Sequence, residues 1–424
     1  GGYRWGASMS RMPTGLGLGY RQSNIANLGV KWETQEQVNV GIDLGFFHER
    51  VNLIVDWYKK VSKDMLMSLQ LPSYMGTSGN ASSALAAPMG NYGDIENKGW
   101  EISLNTHPLI GAFEWDSDFQ ISFNRNKLRA LDGTANAQIV GYGQWSDVVS
   151  VTNVGESLYN FYGYVCDGVY EDLEDLQTSA KPAKYPADGV FNRTNTVWVG
   201  DIKYKDLNGD GVIDENDRTN IGSPLPKFTF GWTNTFRYKN FDLSLFINGS
   251  YGNKVFNYLG MKLTHMNSPW SNQLNTVLDR AQIVPIDPNK DYSAGVVVNG
   301  VTIYNWYDDI TNVRVANAGA TIPRASIQDP NDNDRISDRY IEDGSYIRLK
   351  NITLGYTFPG KIIKKWGLDN LRVYANIQNL LTITGYSGYD PEIGASTASA
   401  NVYGLDNGRY PSPTVYSFGL NVSF

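Results

Sequence analysis

The strongest constraint on the fold is a two-residue rhythm, sustained over lengths that globular strands rarely reach. From Gln37, QVNVGIDLGF places Val38, Val40, Ile42, Leu44 and Phe46 on one face and Gln37, Asn39, Gly41, Asp43 and Gly45 on the other, the alternation of a pleated strand. FEWDSDFQISFN from Phe113, KFTFGWTNTFRY from Lys227, FDLSLFINGSY from Phe241, LRVYANIQNLL from Leu371 and PTVYSFGLNVSF at the end repeat it. With VNLIVDWYKK, NKGWEISLN and SYIRLKNITLGYTF, this pattern predicts about nine strands of roughly ten residues or more. In SYIRLKNITLGYTF the phase slips near Asn351, which predicts a bulge there. Most globular strands run about five or six residues, whereas about ten, tilted, cross a bilayer as part of a barrel.

The connections sharpen that expectation. Short links fall at Phe47–Arg50, His107–Ala112, Tyr238–Asn240 and Pro359–Leu368, and long ones at about 63–92, 127–226, 253–340 and 383–412. Short and long alternate strictly. Tight turns at one end and large excursions at the other are the asymmetry of an outer-membrane barrel, because only helices or closed sheets satisfy every backbone group in hydrocarbon. A one-sided soluble sheet would explain the alternation alone, but not the segregated links. The odd strand count conflicts with the even counts of bacterial barrels. The chain is therefore expected to be the C-terminal part of a larger all-β transmembrane barrel.

Composition agrees. Of 424 residues 41% are hydrophobic, 19% charged and 13% aromatic, with 43 glycines, a profile suited to strands and turns. The net charge of −7 and the lack of a basic stripe argue against a nucleic-acid partner. The one cysteine, Cys166, leaves no intrachain disulfide and no thiolate cluster. No apolar run approaches the ~18 residues of a membrane helix. The opening GGYRWGASMS has no charged-then-apolar leader, as expected if a signal was removed or the chain starts in mid-protein.

The acidic run DLNGDGVIDEND offers Asp206, Asn208, Asp210, Val212, Asp214 and Asp217 at positions 1, 3, 5, 7, 9 and 12, with Gly211 at position 6. That is the spacing of a calcium loop, in which carboxylates, an amide and the carbonyl at position 7 supply hard oxygens. Asp217 stands where a longer Glu reaches more easily, which predicts a weaker site. The preceding GDIKYKD reads as strand through Ile202 and Tyr204, so a structural calcium site without its entering helix is expected. The alternative is a solvated turn. The second cluster, from Asp329 to Asp334, lacks the glycine and the spacing and reads as turn chemistry.

Chemistry of the catalytic kind is missing. His48 and His107 fall in predicted short turns and His265 in a loop, with no metal-ligand spacing. There is no nucleophile elbow, P-loop or dinucleotide fingerprint, and Asp116 and Asp118 face the predicted lumen. The expectation is that the chain is not an enzyme. Aromatic residues in the predicted excursions include Tyr159, Tyr162 and Trp306, and also Tyr142, Trp145, Trp198 and Trp270. The last four are candidate substrate contacts, since rings stack on sugars and anchor interfaces. The alternative is that these aromatics pack the excursions together.

Several segments in order resemble the C-terminal half of the SusC/RagA family of TonB-dependent outer-membrane transporters. They are ESLYNFYGYVCDGVY at 156–170, GDIKYKDLNGDGVID at 200–214, IGSPLPKFTFGWTNTFRYKNFDLSLFINGSYGN at 221–253, SDRYIEDGSYIRLKNITLGYTFP at 337–359 and LRVYANIQNLLTITGYSGYDPE at 371–392, with an aromatic C-terminus, Phe424. The resemblance implies a barrel of about 22 strands around a plug, bacterial outer-membrane localisation and a box that engages TonB. It implies a SusD-like surface lipoprotein over the mouth and import of oligosaccharides or peptides. No plug or TonB box is recognisable in these residues, so the remaining barrel strands, the plug and the TonB contact are expected elsewhere in the same protein. A passive porin and a non-transporting glycan-binding adhesin are the rival expectations.

Overall fold

The computed structural model describes residues 9–15, 17–68, 85–86, 88–131, 137–143, 147–394 and 401–424. Nine strands form one antiparallel sheet in sequence order: β1 (Thr34–Phe46), β2 (Val51–Ser68), β3 (Met89–Leu109), β4 (Phe113–Leu131), β5 (Phe228–Tyr238), β6 (Phe241–Tyr251), β7 (Tyr346–Thr357), β8 (Asn370–Thr384) and β9 (Val415–Ser423). No helix among the described residues is long and apolar enough to cross a membrane.

Register explains why the alternation matters. Side chains directly opposite one another share a face. Leu44, Leu53, Leu104, Phe119, Trp232, Ile247, Leu349 and Leu381 pair in turn across β1 to β8. The row is apolar throughout, as the lipid face of a barrel must be. On the opposite face Asp56, Glu101, Ser122, Thr229 and Ser250 pair from β2 to β6. Val40 is exposed and Phe119 and Leu245 are half-buried, so none is packed into a centre.

The predicted bulge is present. Phe246 and Ile247 of β6 face Asn351 and Leu349, skipping Lys350, and β8 shifts register at the same point. Two boundaries differ from the sequence expectation. The first is β2 with β3 and β4, which run 18, 21 and 19 residues, carrying the strands to Ser68 and Leu131, past the points where the excursions were expected to start. A span needs only about 9–11 residues, so these strands project beyond the bilayer at the excursion end. The second is His107, which lies within β3 and not in a turn. Its Nδ1 is 2.6 Å from Asp116 of β4, and that contact extends the pairing. His48 does sit in a tight turn, between β1 and β2.

The excursions build the folded cores. One contains Val169, Tyr170, Leu176, Val197, Trp198, Val199, Ile202 and Ile213 from the 127–226 excursion, with Ala281, Ile310, Val313 and Val315 from 253–340. The other joins Val149 and Phe161 to Phe256, Tyr258, Met261 and Tyr340 and to Val402 and Leu405 of the last excursion. Phe161 meets Phe256 edge-on at 6.0 Å. Three excursions therefore share two hydrophobic cores.

Candidate functional site

The acid loop is short strand, turn and cap. Gly209 and Gly211 have φ of +77° and +82°, a backbone that favours glycine and curls the chain. Asp206 accepts from the backbone N–H of Gly209 at 2.7 Å and of Gly211 at 2.8 Å. The Gly211 N–H is the main reason that the Asp206 carboxyl lies below its ordinary range. Asn208 accepts from the Asp210 N–H, and Asp210 from that of Val212, each at 2.9 Å. Asp214 accepts from Asn216 N–H at 2.7 Å. Asp217 is fully buried, with Leu207 N–H and Asp214 N–H donating to its two oxygens at 2.9 and 2.8 Å.

These contacts test the donor set. Carboxylate and amide oxygens keep further lone pairs after accepting one N–H each, and they are the hard ligands that calcium takes. Asp217 departs from the expected role, because it staples the ends of the loop and caps the short helix Glu215–Asp217. No three carboxylates of this stretch converge. Among the described residues the group of three or more that does is His265, Asp329 and Asp334.

That trio escaped the sequence, since Asp329–Asp334 reads there as a turn and His265 as a lone loop residue. His265 caps the C-terminal end of the helix Tyr258–Thr264. Its Nε2 lies 3.1 Å from Asp329 and its Nδ1 2.9 Å from Asp334. Burial lowers the imidazole's proton affinity, but hydrogen bonds and charge from the two carboxylates outweigh it and raise the pKa to about 9. The arrangement is an imidazolium clamped between two anions, fixing the helix to the 329–334 turn. Nearby, a cavity of about 780 Å³ is lined by both signs of charge, including Asp214, Glu215, Arg218, Lys262 and Asp334.

The aromatic candidates separate. Trp270 is 93% exposed and Tyr142 41% exposed, so both offer faces to a ligand. Trp198 is 1% exposed within the first core; its ring packs the excursion and has no free face to stack on a sugar, which corrects the stacking role expected of it and leaves only its edge at a cleft. Trp145 lies outside the described residues. Tyr159 packs on Tyr403 at 6.2 Å, Arg218 covers Tyr162 at 4.9 Å, and Trp306 packs against the first core. For these three the packing alternative holds. Burial pushes the Cys166 thiol up to about 12, leaving it inert.

Residues 2–248 match the family model described as TonB dependent receptor-like, beta-barrel. TonB-dependent receptor P3 of Formosa agariphila is 33% identical over 410 residues, 95% of this chain and 35% of the relative. TonB-dependent receptor SusC of Bacteroides thetaiotaomicron is 27% identical over 402 residues, 94% of this chain and 32% of the relative. A solved structure of the RagAB peptide transporter superposes with a TM-score of 0.70 at 20% identity, covering the whole chain and 39% of its counterpart; at that identity the likeness is one of fold. The chain thus spans about a third of the length of these relatives. It is a mostly-β outer-membrane chain and belongs to the TonB-dependent receptor β-barrel family.

Proposed function

We propose that this chain is the C-terminal barrel portion of an outer-membrane nutrient importer of the SusC type. In this reading it takes up oligosaccharides or peptides with a SusD-like surface lipoprotein and TonB-derived energy. The observation that carries the reading is the combination of an apolar row across eight strands with long excursions that fold into shared cores at one end. A scaffold of that kind has a lipid face, a polar inner face and a structured mouth. The inner row Asp56, Glu101, Ser122 and Thr229 supplies the polar lining of a passage. At the mouth, Trp270 and Tyr142 are free to contact substrate or the lipoprotein.

Calcium is the structural ion we assign to residues 206–217. Its support is the donor set of Asp206, Asn208, Asp210, the Val212 carbonyl and Asp214 at calcium-loop spacing on a turn that two glycines curl. Asp217 acts by closing the loop. The ion would stiffen the excursion and take no part in chemistry.

Uptake of labelled oligosaccharides and peptides by cells carrying or lacking the complete gene, in backgrounds with and without TonB, tests the importer. Uptake that needs both the gene and TonB supports it. Uptake that persists without TonB points to a porin. Surface adhesion lost with uptake intact points to an adhesin, and either of these two results overturns the proposal.

A further inference from the structure

Two excursions meet at a cleft of about 570 Å³ whose wall includes Arg193, Trp198, Arg280, Tyr307 and Arg324. Its volume falls within the ~300–1,000 Å³ of small-ligand sites. Three guanidinium groups in one cleft are conspicuous on a chain of net charge −7, and their partners can be counted. Arg324 is 6% exposed. Its Nε donates to Asp201 at 2.7 Å, and its Nη2 donates to Asp201 at 3.2 Å and to the Arg193 carbonyl at 3.1 Å. Its Nη1 has no acceptor among the described residues. Arg193 donates from Nε to Asp308 at 2.9 Å and lies over the Tyr307 ring.

Arg280 differs from both. Its guanidinium makes no ion pair or hydrogen bond among the described residues, although Asp279 is its neighbour in sequence. What fixes it is backbone: Arg280 bridges to Ile322, and the Ala281 N–H donates to the Ile322 carbonyl at 2.8 Å. The indole N–H of the buried Trp198 likewise has no acceptor among the described residues. Two carboxylates thus neutralise two of three arginines. One cation, Arg280, and one N–H group each on Arg324 and Trp198 are left over on residues that line the cleft. Charged donors in a planar fork suit carboxylate or sulfate oxygens.

We propose that this cleft binds an oxyanion group, carboxylate or sulfate, of the ligand, with Arg280 supplying the charge and Arg324 and Trp198 completing the hydrogen bonds. The substrate would then be an anionic nutrient, a refinement that rests on the importer reading for its biological role but not for its measurement. Since Arg193 and Trp198 come from one excursion and Arg280 and Arg324 from the other, the ligand would bridge them.

The test is calorimetric titration of the full-length receptor in detergent with D-glucuronate, inorganic sulfate and D-glucose. Binding of glucuronate or sulfate but not glucose is expected, weakened at least about tenfold in Arg280→Gln, the effect of losing a charged hydrogen bond. Arg280→Lys should restore part of it. Glucuronate alone would name a carboxylate ligand, and sulfate alone a sulfate ester. Equal binding by wild type and Arg280→Gln, or binding of neither anion, overturns the site. Unchanged amide exchange at Ala281 shows that the variant is folded. Uptake is scored separately. Anion binding without TonB-dependent uptake would sink the importer and keep the cleft, and the converse would sink the cleft alone.

Discussion

A charge placed on Leu104 tests which face of the sheet meets lipid. Leu104 pairs with Leu53 on one side and Phe119 on the other, inside the apolar row. It lies six residues before Ile110, the first residue after β3. At about 3.3 Å per residue that is about 20 Å along the strand, and with a tilt near 40° about 15 Å along the barrel axis. The apolar band of such barrels is about 25 Å tall, so Leu104 stands close to its middle. Leu104→Lys in the full-length receptor should cost about 2–4 kcal/mol, a shift of roughly 30- to 900-fold in the folding equilibrium. Its neighbour Asn105 points to the other face, opposite Asp118, and Asn105→Lys should cost about 1 kcal/mol or less, since lumen substitutions alter selectivity before stability. Urea titration of receptor folded into vesicles, read by heat-modifiable gel mobility, gives both values. Equal costs, or the reverse order, would refute the assignment, because a one-residue slip exchanges the two faces.

The His265 clamp predicts a pH dependence. The folded pKa of about 9 lies above the ordinary 6.5, so its contribution is complete below pH 6.5 and is lost as pH rises toward 9. Amide-exchange protection in the helix Tyr258–Thr264, taken relative to the intrinsic exchange rate at each pH, should therefore fall over that window in wild type but stay level in His265→Gln. Asp206→Ala with Asp210→Ala should abolish calcium found by metal analysis of purified receptor and raise proteolysis within 127–226; no calcium in wild type removes that assignment. Gly200→Ala should destabilise the excursions by about 1–3 kcal/mol, because Gly200 has φ +87° and its Cβ would stand 2.7 Å from Ile283 Cδ1. Protease susceptibility measures this. Trp198→Ala should loosen the same region by about 3–5 kcal/mol, and a variant as protease-resistant as wild type would contradict its core position.

The membrane strands were legible because lipid on one side and water on the other force a period of two onto every residue. Val38 to Phe46 or Tyr416 to Phe424 could be assigned by counting. Even the bulge left a phase slip beside Lys350. The excursions have no such solvent boundary. Their first core draws on strands of two to four residues, such as Ile202–Tyr204 and Val212–Ile213, too short to show a period. The clamp joins residues 64 apart, and Arg324 reaches Arg193 across 131 residues, so proximity in sequence gave no hint of either. Trp198 shows the limit from the other direction, since composition marks an aromatic residue as available but says nothing of what covers it.

Shared cores make the mouth of this receptor a single mechanical piece. Phe161, Phe256 and Leu405 come from three separate excursions yet lie in one cluster, so no excursion can be exchanged with another receptor's without leaving its neighbours half-dressed. Transplanting a specificity would mean moving all three together, grafted at the strand tops. The loops would then diversify as a joint unit, and a chimera built from one alone would be expected to unravel the other two.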